Sequence, residues 1–246
     1  MTQGVVVVVG GSSGIGLATA ARFAAEGYSV LITGRDARRL GRALAELRAS
    51  SPDAVVDGTA VDARDPLLGD LLADRGVVVK HLVLAASGGS GAGPFAQVGI
   101  EAVREGLEAK TLAQWAALRS VLPHLDERAS ITFVTAVSAR AALPGTAGLA
   151  AINGALESAV GPLAAELAPR RVNAVSPGVV DTPWWHARMS DEARQGFFTG
   201  TAQALPLGRV GRPEDIAHVV TALAQAEFVT GVVVPVDGGA HLATGR

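Results

Sequence analysis

Val5-Val6-Val7-Val8-Val9-Gly10-Gly11-Ser12-Ser13-Gly14-Ile15-Gly16 is the stretch on which the fold turns. Five consecutive valines have no polar side, so they read as a strand buried on both faces, as in a parallel sheet. The run ends in a glycine turn, and Ile15–Glu26 continues with helical spacing. A strand, a glycine turn and a helix in that order lift a glycine motif above chance. Gly10 permits a sharp turn, Gly14 lets backbone approach a pyrophosphate, and Gly16 lets the helix pack close to the strand. The helix amino terminus adds unpaired N–H groups and the positive end of its dipole. Gly10, Ser12, Ser13, Gly14, Ile15 and Gly16 are therefore expected to cradle the phosphates of a dinucleotide.

The same alternation runs to the end of the chain. Further strands are expected at Ser29–Thr33, Ala54–Ala60, His81–Ala85, Ile131–Thr135, Val172–Val175 and Val232–Val236. Helices are expected at Arg38–Ser50, Pro66–Asp74, Ile100–Leu122, Thr146–Leu167 and Glu214–Ala224. Repeated β-α-β units imply right-handed crossovers. The expected fold is α/β: one Rossmann-type domain over residues 1–246, a doubly wound parallel sheet of about seven strands with helices on both faces. The Gly-rich stretch Gly88–Gly93 follows a strand carboxyl end, where ligands bind in such sheets, and so borders the site.

Composition narrows the function classes. The chain has 246 residues, 49% hydrophobic and 18% charged, which suits one domain with a large core. A formal net charge of -2 gives no electrostatic reason for a nucleic-acid partner. The absence of cysteine excludes disulfides, thiolate catalysis and cysteine metal sites. His81, His124, His218 and His241 are scattered and suggest no metal cluster. Val5–Val9 is too short to span a bilayer and lacks a basic segment before it. A cytoplasmic protein with no membrane partner is the expectation.

Several further segments give the chain a family likeness. The glycine spacing, Val61-Asp62 after the third strand, Arg171-Val172-Asn173-Ala174-Val175-Ser176-Pro177-Gly178, Gly208-Arg209-Val210-Gly211-Arg212-Pro213-Glu214-Asp215-Ile216-Ala217 and Val236-Asp237-Gly238-Gly239 resemble the short-chain dehydrogenases/reductases over nearly the whole chain. The resemblance implies that Asp62 contacts the adenine. It also implies that Pro177, Gly178, Val180 and Thr182 hold the nicotinamide end, and that the long helices and final strand form homotetramer or homodimer contacts.

The choice of cofactor has a physical basis. NAD-binding chains place an acid after the second strand to bind the ribose 2′-hydroxyl. Here that strand ends Thr33-Gly34-Arg35, and arginine suits a 2′-phosphate. Ser12 and Ser13 could add hydroxyl donors. Asp36 follows, and reads as a helix cap or solvated turn residue. NADP is expected in preference to NAD.

Catalysis in the resembled family rests on a Tyr proton donor, a Lys four residues later, a Ser after strand five and a helix-four Asn. In the register set by Ala150-Ala151-Ile152-Asn153-Gly154-Ala155-Leu156, Leu149 stands at the Tyr position and Asn153 at the Lys position. Ala136 stands at the Ser position and Lys110 at the Asn position. The only tyrosine is Tyr28, and the only lysines are Lys80 and Lys110, so no Tyr–Lys pair can be recovered. Asn153 can still bond a nicotinamide ribose. Ser138 could replace the missing Ser if the loop is shifted by two residues; otherwise its hydroxyl makes local backbone bonds. Lys110 could fill the Asn space and tie down backbone carbonyls, or lie on the helix surface. His186 could act as a general acid, or sit on the surface of a lid. Trp184 and Trp185 could cover a hydrophobic ligand, anchor the lid or contact another subunit. Arg140 could face substrate or solvent.

Three functions fit these features. The first is an NADP(H)-dependent oxidoreductase of atypical mechanism, acting on a hydrophobic carbonyl, quinone, imine or enone. The second is a non-redox cyclase, isomerase or lyase on the same scaffold. The third is a catalytically silent cofactor-binding or scaffold subunit. The fold alone permits each.

Overall fold

The computed structural model describes residues 4–186 and 188–242. Its first half is β1 (Val5–Val9), α1 (Gly14–Ala25), β2 (Ser29–Gly34), α2 (Ala37–Ser50), β3 (Val56–Ala60), α3 (Leu67–Asp74) and β4 (Val79–Leu84). Then α4 (Ile100–Gly106) passes through a π-helical turn, Leu107–Leu112, into α5 (Ala113–Val121). The chain continues with β5 (Leu125–Val134), α6 (Ala147–Glu166), β6 (Arg171–Pro177), α7 (Pro183–His186), α8 (Asp191–Ala204), α9 (Pro213–Gln225) and β7 (Val233–Val236).

The seven strands form one sheet in the order β3-β2-β1-β4-β5-β6-β7, and every neighbouring pair is parallel. The five valines of β1 explain the two-layered core. Val6 and Val8 pack with Ala20, Phe23, Ile216 and Val220, under α1 and α9. Val7 and Val9 pack on the other face with Leu68, Leu72, Ala117 and Leu156, under α3, α5 and α6. Successive strand residues point to opposite faces, so a strand covered on both sides must be apolar throughout. The strand order reverses between β1 and β4, and a crevice opens outside their carboxyl ends.

Three elements differ from the sequence expectation. The helix expected over Ile100–Leu122 is broken by the π turn, which points Lys110 and Thr111 inward. There Lys110 Nζ donates to Thr135 O at 2.9 Å, and Thr111 Oγ1 to Ile152 O at 2.8 Å. Apolar periodicity does not reveal the one extra residue of a π turn, a feature frequent at functional sites. β5 begins at Leu125 rather than Ile131: Leu125 pairs with Val79, and the register shifts before Ser130 pairs with His81, so polar Asp126-Glu127-Arg128 lies within the strand. α8 has no fully buried residue, so it leaves no apolar stripe to read.

Candidate functional site

The glycine turn meets its steric requirements through the backbone. Gly10 has φ 83°, and its N–H and that of Gly11 donate to Thr33 O at 3.1 and 2.9 Å. A Cβ on Gly16 would lie 2.2 Å from Gly10 O, so only glycine lets α1 approach β1 this closely. Ser13 is the α1 N-cap with extended backbone and makes no side-chain cap, which leaves the first-turn amides to the crevice. Gly14, at φ 53°, faces Thr182: a Cβ there would stand 3.3 Å from the Thr182 methyl. The glycine turn and the segment after β6 thus meet across the crevice.

That second segment is fixed from below. Gly178 N–H donates to Val236 O at 3.1 Å, and a Cβ on Gly178 would collide with Asp237 Cα at 2.8 Å. Val180 forms an isolated parallel bridge with Gly211. Pro177 ends β6, and Gly178, Val180 and Thr182 follow it as a braced turn.

At the β2–β3 edge, Ser12 Oγ lies where a Cβ on Gly34 would stand, 2.5 Å away. Arg35 is exposed directly after Gly34. Asp62 is paired with Arg64 through contacts of 3.0 and 3.1 Å. The Arg64 hydrogen bonds hold the Asp62 carboxyl below its usual range, and the nearby Arg35 charge adds to this. Asp36 is the α2 N-cap, its carboxylate accepting from Arg39 N–H at 2.9 Å, so the cap reading of that residue holds.

The opposite wall is α6 and the short 3₁₀ turn Val137–Ala139 after β5. Leu149 lies half-buried in the first turns of α6 and Ala136 at the start of the 3₁₀ turn. Asn153 is 3% exposed; its amide donates to Leu149 O at 2.9 Å and to Ser138 Oγ at 3.2 Å. The hydroxyl that Asn153 reaches is thus that of Ser138. Asn153 Oδ1 is buried with no donor among the described residues. An unmade bond at a buried carbonyl costs roughly 1–3 kcal/mol, which fits an acceptor awaiting an O–H such as that of a ribose. With the glycine turn, this donor-and-acceptor set fits a bound dinucleotide: amides for the phosphates, Asn153 for a ribose hydroxyl.

Lys110 is 8% exposed and, among the described residues, its hydrogen bond is to Thr135 O. Burial pushes its ammonium down to about 8, against an opposing pull from the Glu157 charge. Glu157 was not singled out by sequence. Its buried carboxylate accepts from Thr135 Oγ1 and Ser176 Oγ at 2.8 Å each and from Arg140 Nε at 2.7 Å. Arg140 therefore turns to Glu157. A signal existed: Glu157 is the only charged residue between Thr146 and Glu166.

The lid residues separate into two roles. Trp185 Nε1 donates to Val180 O at 2.9 Å, and its ring packs on Phe197 at 4.9 Å, so it anchors α7 to α8. Trp184 Nε1 reaches across to Gly88 O at 2.9 Å, and Arg188 stacks 3.8 Å over its ring. The Gly-rich stretch thus borders the mouth of the crevice. His186 is exposed at the end of α7, and no hydrogen bond ties it to Ser138, Lys110 or Asn153. Among the described residues, no group of His, Asp and Glu could hold a metal ion, and no helix is long and apolar enough to cross a membrane.

Residues 9–241 match the family described as enoyl-(acyl carrier protein) reductase. A granaticin polyketide synthase putative ketoacyl reductase 2 of Streptomyces violaceoruber is 34% identical, covering 97% of this chain and 96% of its own. A small-chain dehydrogenase solved in complex with NADPH superposes with a TM-score of 0.82 at 30% identity, over 98% of this chain and 99% of that one. A short-chain oxidoreductase of Pseudomonas aeruginosa PAO1, described as containing an atypical catalytic center, does so with a TM-score of 0.88 at 30% identity, over 99% and 98%. The sheet, the glycine turn and these similarities agree, and the chain belongs to the short-chain dehydrogenase/reductase family of oxidoreductases.

Proposed function

We propose that this protein is an NADP(H)-dependent oxidoreductase that reduces a hydrophobic carbonyl, quinone, imine or enone without the usual tyrosine proton donor. The observation that carries this reading is the meeting of Gly14 and Thr182 across the crevice. It closes phosphate-binding and nicotinamide-binding segments on one ligand. A bound nicotinamide supplies a hydride; the chain's part is to hold it, exclude water and manage the proton. The exposed Arg35 guanidinium after β2 supports NADP over NAD, since it suits a 2′-phosphate. The NADPH complex of a 30%-identical relative supports the same choice.

On the substrate side, Leu149 and Trp184 offer apolar surface, and Ser138 offers a hydroxyl to a substrate oxygen. A substrate whose reduced form is a stabilised anion asks less of the proton donor than a simple ketone does. The relative with an atypical catalytic center supports departures of this kind within the family.

Calorimetric titration with NADPH and NADH is the test. NADPH should bind tenfold or more tightly than NADH, and quinones, imines or enones should then oxidise it. Binding of neither nucleotide would overturn the proposal. Substrate conversion with no change in NADPH would establish a non-redox enzyme on this scaffold instead.

A further inference from the structure

We infer that the Lys110 ammonium is the proton source of this site, with the buried carboxylate of Glu157 as the positioning residue that keeps it charged. This rests on the oxidoreductase reading above. It deepens that reading by naming the acid.

Geometry is the first ground. The π turn directs Lys110 inward, and its neighbour Thr111 is bonded to Ile152 O, one residue before Asn153. The turn is therefore docked on α6 beside the residues that line the floor of the site. Lys110 Nζ meets Thr135 O, and Thr135 leads directly into the turn that carries Ser138. The ammonium has three N–H donors and, among the described residues, one acceptor. On the elements around it, Gln114 Oε1 and Asn153 Oδ1 are buried acceptors without donors. Unused donors and unused acceptors on adjoining elements leave hydrogen bonds for a substrate or a water to complete.

Electrostatics is the second ground. No carboxylate lies within salt-bridge distance of Lys110 among the described residues, yet the side chain is buried. A buried cation held only by a carbonyl is costly unless another charge offsets it. Glu157 on α6 is that charge, with its side chain 5% exposed. Arg140 binds Oε2 of the same carboxylate, while Thr135 and Ser176 bind Oε1. Glu105 on α4, Glu108 on the π turn and Arg119 on α5 are at exposed positions. Burial dominates, so Lys110 can release a proton near neutral pH, where an ordinary lysine holds it.

The step balances simply. A bound reduced nicotinamide would supply the hydride to the C=O carbon, leaving the displaced electron pair on oxygen. One N–H bond of the Lys110 ammonium breaks and an O–H bond forms. The amine left behind regains its proton from water.

The chain's two lysines make the test direct. The whole protein is labelled with lysine carrying ¹³C at Cε, and the two signals are followed by NMR against pH, with Lys110→Met assigning one. The Lys110 signal should titrate near 8. Glu157→Gln should lower that midpoint by a unit or more. Arg140→Gln should raise it, because Glu157 then acts unopposed; this exposed change also serves if Glu157→Gln does not fold. The basic limb of NADPH oxidation against pH should move with each midpoint and vanish in Lys110→Met. An unperturbed Lys110 midpoint, or a basic limb that ignores these variants, would overturn the assignment. A perturbed Lys110 in a protein that binds neither nucleotide would sink the oxidoreductase reading instead, and leave the charge pair standing.

Discussion

The β1–α1 wall of the crevice and the α6 wall are built differently. On the first, the contacts are backbone: Gly10 and Gly11 amides on Thr33 O, and Gly16 against Gly10 O. Such contacts tolerate no added atom, so the residues there are dictated by space. On the second, the contacts are side chains: Asn153 on Ser138, Lys110 on Thr135, and Glu157 with three donors. Side chains can exchange roles while the fold stays the same. On the inference drawn above, the cation of the site would arrive from the π turn rather than from α6. The same fold can carry different chemistry when only side chains change.

The steric wall should break most severely. Gly16→Ala places a Cβ 2.2 Å from Gly10 O, and backbone cannot yield as a flexible side chain can. We expect a loss of about 3 kcal/mol in stability, at the upper end for overpacking, together with nucleotide binding. Urea unfolding and calorimetry would measure both; a variant that folds and binds normally would contradict the steric account.

The sole tyrosine sharpens the comparison, because it lies at the other end of the sheet. Tyr28 is 5% exposed and packs edge-on against Phe23 at 5.4 Å and His81 at 5.3 Å. Burial pushes His81 down to about 4, and the Lys80 and Arg171 charges act in the same direction. The folded state therefore binds fewer protons than the unfolded chain between about pH 6.5 and 4. Stability should fall as the pH drops through that window, by up to about 3 kcal/mol at 1.36 kcal/mol per unit. Urea midpoints across that range would show the slope, and His81→Phe should flatten it.

A smaller effect belongs to the β2 edge. Arg35→Ala should weaken NADPH binding by roughly 2 kcal/mol, the scale of a charge-assisted hydrogen bond, and leave NADH nearly unchanged. Equal losses for both nucleotides would remove the 2′-phosphate role from Arg35.

The smallest effect is expected at the lid. Trp184→Phe removes the bond to Gly88 O but keeps an aromatic ring, for about 1 kcal/mol or less. It should appear as a raised KM with kcat little altered. An unchanged KM would place Trp184 outside the substrate path.

The legibility of the chain follows the same division. The valines of β1 and the glycines that follow are readable because burial on both faces and close backbone approach each demand one residue type. The expectation at Leu149 and Asn153 rests on register, since Ala150–Leu156 adjoins the first and contains the second. Which residue of the turn after β5 meets Asn153 was not locatable, because a two-residue shift there leaves no trace in composition. The inward course of Lys110 depends on a π turn, and α8 carries no stripe. Glu157 left a mark, a lone charge in an apolar helix, that pattern reading alone passes over.

The sequence by itself determined the sheet, its two-sided core, the glycine turn, and that the chain holds one tyrosine, Tyr28, and two lysines, Lys80 and Lys110. Those are matters of local pattern and of which atoms the chain possesses. Only the tertiary structure decided that Lys110 is buried, that Arg140 turns to Glu157, and that Thr182 comes to Gly14. Each of these joins segments far apart in the chain, and such a contact is fixed by packing in three dimensions rather than by any spacing along the sequence.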